Sequence, residues 1–366
     1  MATQMSASRV RKSDVQGSCT PARSVAYDVL LRVESGAWAS DLLRAASEKL
    51  DARDAALAHQ IVFGVLRRQL PIDVWIAART KQRKLDIEVR IALRMGFFQL
   101  HYLDRVPPYA VVSDAVNLVK RARKVSAAGL VNAVLKNKSP LPEARPSDSI
   151  PPWMYTRWVN HFGEENALRI AEYSQTEPES AIEPTTGRTQ DIGAQWVISL
   201  LELRPGQTFL DTCAAPGNKT AQAIAAGAHA VACDRHHHRL RALSDLDCGK
   251  VQLDATKPLP FRRKFDRVLV DAPCSGTGTL ARNPEIRYRL KPEDLTDLHA
   301  RQVLILRNAI DCVAPGGILV YSTCSLEPEE NEVVLGEVLG RIPDETHYRI
   351  PGVQPGDGFY AAVLRF

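Results

Sequence analysis

The stretch Phe209-Leu-Asp-Thr-Cys-Ala-Ala-Pro-Gly-Asn-Lys-Thr220 constrains the fold more than any other part of this chain. An apolar lead-in ends on Asp211, a loop of small residues with Gly217 follows, and the helical pattern Ala221–Ala226 comes next. That order predicts a strand, a tight loop and a helix, the opening unit of a nucleotide-binding α/β sheet. Small residues let the loop backbone approach a ligand, and the helix start presents free N–H groups. The stretch is neither GxxxxGK[ST] nor GxGxxG, so it does not require a phosphate. Two further apolar runs end on acids, Ala230-Val-Ala-Cys-Asp234 and Val251-Gln-Leu-Asp254. An acid about 20 residues beyond a glycine loop is placed to hold ribose hydroxyls. Any one of these acids alone reads as a cap or loop residue. Three in order at strand ends favour a nucleoside ligand without phosphate.

Two more short apolar runs, Arg267-Val-Leu-Val270 and Ile318-Leu-Val320, read as buried parallel strands. Each is followed by a cysteine: Cys274 in Asp271-Ala-Pro-Cys-Ser-Gly-Thr-Gly278, and Cys324 in Tyr321-Ser-Thr-Cys-Ser325. Ligands bind at the carboxyl ends of such strands. A free cysteine is also a common packing residue, so neither thiol is informative alone. Together, and with Asp271 beside the first, they point to covalent chemistry. The thiolate is the reactive form, and an ordinary thiol with a pKa of about 8.5 needs an activating environment. Spacing does not say which of the two attacks.

These motifs resemble the RsmB/Sun family of S-adenosylmethionine-dependent RNA cytosine-5 methyltransferases. The matching elements are Cys213-Ala-Ala-Pro-Gly-Asn-Lys219, Asp234 with Arg239-Leu240, Asp254, and the Asp271–Gly278 stretch. Arg282-Asn-Pro-Glu-Ile-Arg287, Tyr321–Ser325 with Glu329-Glu-Asn331, and Asp357-Gly-Phe-Tyr-Ala-Ala362 complete the set in family order. The resemblance implies a Rossmann-like, mainly parallel seven-stranded sheet with helices on both faces. It implies Cys324 as nucleophile, Cys274 as an aid to release, and Asp271 at the edge of the base. It also implies an S-adenosylmethionine site formed by Cys213, Ala214, Ala215, Pro216, Gly217, Asn218, Lys219, Asp234, Arg239, Asp254 and Asp271. The chemistry explains the demand for thiols: carbon 5 of cytosine is a poor nucleophile until a thiolate adds to carbon 6 and breaks the aromaticity.

The two halves differ in charge. Residues 1–150 carry 24 Lys and Arg against 14 Asp and Glu, and the remainder carries 23 against 28. A basic module joined to an acidic one suggests that the first half meets a polyanion, with RNA expected. The clusters are Arg79-Thr-Lys-Gln-Arg-Lys84 and Lys120-Arg-Ala-Arg-Lys124, with Arg67-Arg68 and Lys136/Lys138 nearby. Thr20-Pro21 predicts an N-cap and first helical residue, with Val25, Val29, Leu30 and Val33 on one face. Asp51 and Asp54 precede another apolar face at Leu57, Ile61, Val62, Val65 and Leu66. Similar patterns cover 74–78, 89–100, 111–119 and 130–135, which predicts an all-α half. It resembles the NusB-like domain that RsmB proteins carry, notably at Ala22–Leu30 and Leu130–Leu135.

The expected organisation is a flexible stretch over 1–19, a NusB-like RNA-binding domain over 20–140, a Pro-rich linker with a helical segment over 141–188, and the methyltransferase domain over 189–366. Relatives usually continue after Glu177-Pro178 with a small RNA-recognition-like unit that this chain lacks. A second departure is Asn218, where the family usually has Gly; Asn tolerates left-handed backbone. No apolar run reaches 18 residues and no signal-peptide stretch is present. Seven cysteines without CxxC pairing argue against a disulfide framework or zinc site. Adjacent residues on a helix diverge, so His236-His237-His238 is not expected to hold a metal. A monomer in a reducing cytoplasm is expected. The reading is an RNA methyltransferase making 5-methylcytosine, with small-subunit (16S) ribosomal RNA as the expected substrate. The alternatives are a non-catalytic RNA-binding or assembly protein, and an enzyme acting on transfer RNA or protein.

Overall fold

The computed structural model describes residues 19–179 and 181–366. Residues 1–18 of the stretch expected to be flexible lie outside the described residues. The chain divides into two compact units, Met1–Ser149 and Ile150–Phe366.

The first unit is helical: α1 Pro21–Glu34, α2 Ala39–Ser47, α3 Ala52–Arg67, α4 Gln69–Thr80, α5 Ile87–Tyr102, α6 Pro108–Arg121 and α7 Ala128–Lys136. Every helical pattern read from the sequence falls inside one of these. Helix α5 is central, with Val89, Ile91, Leu93, Met95, Phe97 and Phe98 all buried. Asp51 caps α3 by accepting from the Asp54 amide at 2.8 Å. Thr20 departs from the expectation: its side chain makes no cap bond to α1. Its hydroxyl instead donates to Asp114 at 3.1 Å, alongside the buried Arg23 at 2.9 Å. A carboxylate already facing a buried guanidinium is the stronger acceptor. Arg94, also buried, forks onto both oxygens of Asp73 at 2.7 Å and pairs with Glu34. Residues expected to begin a linker pack here too, since Trp75 Nε1 donates to the Pro142 carbonyl at 2.9 Å.

The second unit opens with helices Pro152–Phe162 and Glu164–Tyr173, separated at Gly163, whose φ is 80°. Met154, Trp158, Ala167 and Ile170 bury against Leu280, Ile286 and Leu326, so this segment is part of the unit's own core. The strands are β1 Ala181–Ile182, β2 Thr189–Gln190, β3 Thr208–Asp211, β4 His229–Asp234, β5 Gly249–Gln252, β6 Phe265–Asp271, β7 Val313–Thr323, β8 Glu345–Arg349 and β9 Phe359–Arg365. The pair β1–β2 follows closely on the Glu164–Tyr173 helix. Before β3 the chain makes a short turn of helix at Ile192–Gln195 that runs into a 3₁₀ segment at Trp196–Leu201.

The main sheet has seven strands in the order β5-β4-β3-β6-β7-β9-β8. All pairings from β5 to β7 are parallel, and β9 alone runs against its neighbours. Helices Pro292–Ile310 and Glu332–Leu339 cover one face through Val303, Leu306, Val334 and Leu335. Val197, Ile198, Leu201 and Ala223 cover the other. Strand order reverses between β3 and β6, and crevices at such reversals hold ligands in open α/β sheets. The sequence-read acids and thiols therefore share one edge of the unit.

Helices α3 and α5 cross at Gly64, where an added Cβ would lie 1.9 Å from Phe98 Cζ. Overpacking of this kind is destabilising by about 1–3 kcal/mol. Gly64→Ala should lower the urea midpoint of the helical unit accordingly, with an unchanged midpoint showing that the crossing is looser than described.

Candidate active site at the carboxyl ends of the parallel strands

The register of β6 on β7 places Asp271 opposite Ser322, with Ala272 N donating to the Ser322 carbonyl at 2.8 Å. The chain leaves both strands at the same level, and the two following loops meet. Cys274 Sγ and Cys324 Sγ lie 3.4 Å apart. Asp271 accepts from Lys219 Nζ at 2.8 Å and from Ser322 Oγ at 2.9 Å. Lys219 comes from the first turn of the helix that follows β3, so the chain after three strand ends converges on one point.

Buried groups that the motifs contain, but to which the sequence reading gave no role, hold the two thiol loops together. Glu330, fully buried, accepts from the Ser275 amide at 2.8 Å, from Gln302 Nε2 at 2.9 Å, and from the hydroxyls of Ser275 and Ser325. One carboxylate thus bridges the residue after each cysteine. Gly278 donates its amide to the Cys324 carbonyl at 2.9 Å, while Gly358 donates to the Gly278 carbonyl at 2.8 Å. A Cβ on Gly278 would meet Gly358 O at 2.5 Å, which explains the glycine. Arg282 pairs with Asp357 and Asp191, each at 3.0 Å, and so anchors the same layer. Glu327 accepts from Arg157 at 2.7 Å and Trp158 at 3.0 Å, fixing the far side of the Cys324 loop. Glu330 reaches Ser275 across 55 residues and Gln302 across 28, separations that no local spacing reports, which is why the sequence alone did not reveal these contacts.

Burial and neighbouring charge set the protonation of several groups at this junction. Cys274 is raised well above the ordinary thiol range, first by its hydrogen bond with Cys324 and then by burial. A thiol held protonated there can donate toward Cys324. Burial acts to lower the Lys219 ammonium, but the charges of Asp271, Asp211 and Cys324 outweigh it and hold its pKa above the ordinary lysine value. Lys219 is thus a permanent cation within the field of Cys324. Cys213 is pushed up to about 12 by burial and stays a thiol. Asp211, fully enclosed, is pushed up to about 7 by burial against the bond it accepts from Thr220 at 2.8 Å.

The loop Cys213–Lys219, with Gln190, Asp211 and Asp271, lines a cavity of about 120 Å³. Gly217 takes the left-handed conformation with φ 104°, and a Cβ there would meet Leu243 at 2.7 Å. Asn218 does not take the left-handed geometry allowed for it: it is the first residue of the Asn218–Ala225 helix. Its side chain instead donates to the Thr189 carbonyl at 3.2 Å and accepts from Arg188, tying the loop to β2. Gly217 already supplies the turn, so position 218 needs no glycine conformation. Asp234 accepts from the His236 amide at 2.8 Å and lies 3.6 Å from Arg239, which also donates to the Ala215 carbonyl at 3.0 Å. Arg239 thereby joins the loop after β3 to the end of β4. Asp254 lies two residues beyond β5 and accepts from Thr256. Leu253 N bonds to the Asp234 carbonyl at 3.2 Å, setting the two acids side by side. A ligand with an adenosine and an amino-acid end fits this row: its donors and acceptors would meet Asp254, Asp234 and the loop, and the buried Gln190 Oε1 that lines the cavity has no partner. Among the described residues, no three His, Cys, Asp or Glu side chains are grouped to hold a metal ion, and no helix is long and apolar enough to cross a membrane.

Comparison with known proteins adds two family matches: 16S rRNA methyltransferase RsmB/F over residues 198–365, and the NusB family over residues 20–139. The chain is 34% identical to the ribosomal RNA small subunit methyltransferase B of Thermus thermophilus, covering 94% of this chain and 97% of the relative. That alignment runs over 396 positions, more than the 366 residues here, so part of the relative has no counterpart. A probable ribosomal RNA small subunit methyltransferase B of Bacillus subtilis is 26% identical, covering 89% of each chain. Among solved structures, the crystal structure of PH0851 matches with a TM-score of 0.76 at 20% identity, over 95% of this chain and 99% of that one, which supports the fold.

The Asp211 carboxyl binds its proton in the folded state up to about pH 7, and in the unfolded chain only up to its ordinary value of 3.8. Between these values the folded state holds the extra proton, so raising the pH removes stability. The stability of Asp211→Asn relative to the parent should therefore grow from about pH 4 to about pH 7. A pH-independent difference in thermal midpoints would show that Asp211 stays charged.

Proposed function

The chain belongs to the 16S rRNA methyltransferase RsmB/F family, and from that membership and the thiol geometry we propose that it methylates carbon 5 of a cytosine in small-subunit ribosomal RNA. The observation that carries the chemistry is the 3.4 Å contact between Cys274 and Cys324 beside the Asp271–Lys219 pair. S-adenosylmethionine, when bound, supplies the electrophilic methyl group. The loop Cys213–Lys219, with Arg239, would hold its amino-acid end, Asp234 its ribose hydroxyls and Asp254 its adenine side.

Cys324 adds as the thiolate to carbon 6, and the displaced ring electrons make carbon 5 nucleophilic enough to take the methyl group. Lys219 stabilises the thiolate before addition. Asp271 keeps unused lone pairs beyond those facing Lys219 and Ser322, so it can accept from the N4 amino group of the base, and from N3 once that nitrogen takes up a proton as the thiolate adds. After transfer, the carbon 5 proton leaves to a base and its electron pair re-forms the ring double bond as the Cys324 sulfur is expelled. Cys274, protonated and in contact with that sulfur, is placed to aid the departure. Glu330 acts through both loops, holding the sulfurs at this separation.

Two results test the site. Asp234→Ala should weaken S-adenosylmethionine binding ten- to a hundredfold, about 1.4–2.8 kcal/mol; calorimetric titration with undiminished affinity would remove Asp234 from the site. Cys324→Ser should abolish methyl transfer without trapping RNA, because a hydroxyl is far less nucleophilic than a thiolate. Cys274→Ser should accumulate a protein–RNA adduct on denaturing gels that depends on Cys324. The opposite pattern, with the adduct kept in Cys324→Ser and lost in Cys274→Ser, would move the nucleophile to Cys274.

A further inference from the structure

The helical unit has a cavity of its own, remote in sequence from every residue of the candidate active site. It measures about 700 Å³ and opens between the ends of α4, α5, α6 and the segment leaving α7. That volume lies inside the roughly 300–1,000 Å³ of ordinary ligand sites. Trp75, His101 and Tyr109 contribute rings to its wall, while Arg79, Lys136 and Lys138 contribute cations. Among the described residues, no carboxylate lines it. Tyr109 is 78% exposed, an unusual position for a large ring at the start of a helix. The His101 ring lies tilted by 53° against Trp75, with 5.1 Å between centroids. Burial, and then the charge of Arg79, lower the pKa of His101, so its ring is neutral at neutral pH.

The wall is built by tertiary packing. Trp75 is 7% exposed and is pinned by its bond to Pro142. Arg79 donates to the Ser139 carbonyl, so the segment 137–141 is held as one side of the cavity. The other basic cluster of the unit is differently occupied: Lys124 pairs with Asp86 and Glu88, and Arg121 with Asp28. The charge around the cavity therefore faces an outside anion to a greater degree than the charge at the end of α6.

Exposed rings beside uncompensated cations, with an apolar floor, match an unpaired nucleotide: the base has a π-face to stack and its phosphates meet the cations. A stacked, paired base cannot enter such a recess. We propose that this cavity is a subsite for a single unpaired nucleotide of RNA, with the base against Tyr109 and His101 and the flanking phosphates at Arg79, Lys136 and Lys138. The proposal rests on the reading that the protein acts on RNA, and it adds the place and the strandedness of one contact.

The test uses the full chain and short RNAs of one sequence, single-stranded and duplex, without S-adenosylmethionine. Tyr109→Ala should raise the dissociation constant for the single strand about five- to a hundredfold. Tyr109→Phe should restore it, the duplex should be unaffected, and the salt slope should not change. Lys136→Ala with Lys138→Ala should flatten the salt slope by about two. A photoreactive 4-thiouridine in the single strand should crosslink to peptides containing Tyr109 or residues 136–141. Unchanged single-strand affinity in Tyr109→Ala, equal loss on duplex, or crosslinks confined to other peptides would overturn the proposal. Equal binding of an acidic peptide, lost with the same variant, would mark a general anion surface and overturn it too. Methyl transfer is read separately: crosslinks at Tyr109 without methylation would sink the proposed function alone, and methylation with an indifferent Tyr109 would sink the cavity alone.

Discussion

The parallel pairing of β6 with β7 is the constraint on which the rest of the catalytic unit depends. With Asp271 opposite Ser322, the chain emerges from two neighbouring strands at one height. Three residues later on one and two on the other, the cysteine sulfurs touch. A slip of one position would turn every side chain on a strand to the opposite face. It would separate the thiols and remove Asp271 from Lys219. The fully buried Glu330 then fixes what the register begins, through hydrogen bonds that reach both loops. Among the described residues its partners are hydroxyl, amide and backbone donors with no paired cation, and a buried carboxylate is tolerable only when so satisfied.

Around that junction, charge is distributed with a clear division of labour. Lys219 is enclosed beside Asp271 and its cationic form is favoured, whereas Cys274 is kept a thiol by its contact with Cys324 and by burial. The acids at the ends of β4 and beyond β5 sit in line with this junction, each already anchored by one backbone or side-chain donor and therefore oriented.

Strand ends, acids and thiols were legible in the sequence because each lies within a few residues of an apolar run, and period and punctuation report such local order. The seven-stranded sheet and the helical first half follow the expectations. What escaped was non-local. Glu330, Gly278 and Trp75 matter through partners 50 or more residues away. Asn218 was expected to tolerate a left-handed backbone where the family usually has Gly, but Gly217 alone makes the turn and the asparagine begins the helix. Thr20 looked like a cap, yet the Arg23–Asp114 pair claims its hydroxyl. The segment after residue 141 looked like a linker from its prolines, whereas its first part packs on the helical unit and residues 150–171 bury into the second.

The central claim is that two contacting thiols at adjacent strand ends direct a methyl group to carbon 5 of cytosine. The most direct measurement incubates the purified protein with small-subunit ribosomal RNA and isotopically labelled S-adenosylmethionine, digests the RNA to nucleosides and identifies the labelled species by mass spectrometry. The account predicts label in 5-methylcytidine. Label in a ribose-methylated or ring-nitrogen-methylated nucleoside, with none in 5-methylcytidine, would contradict it.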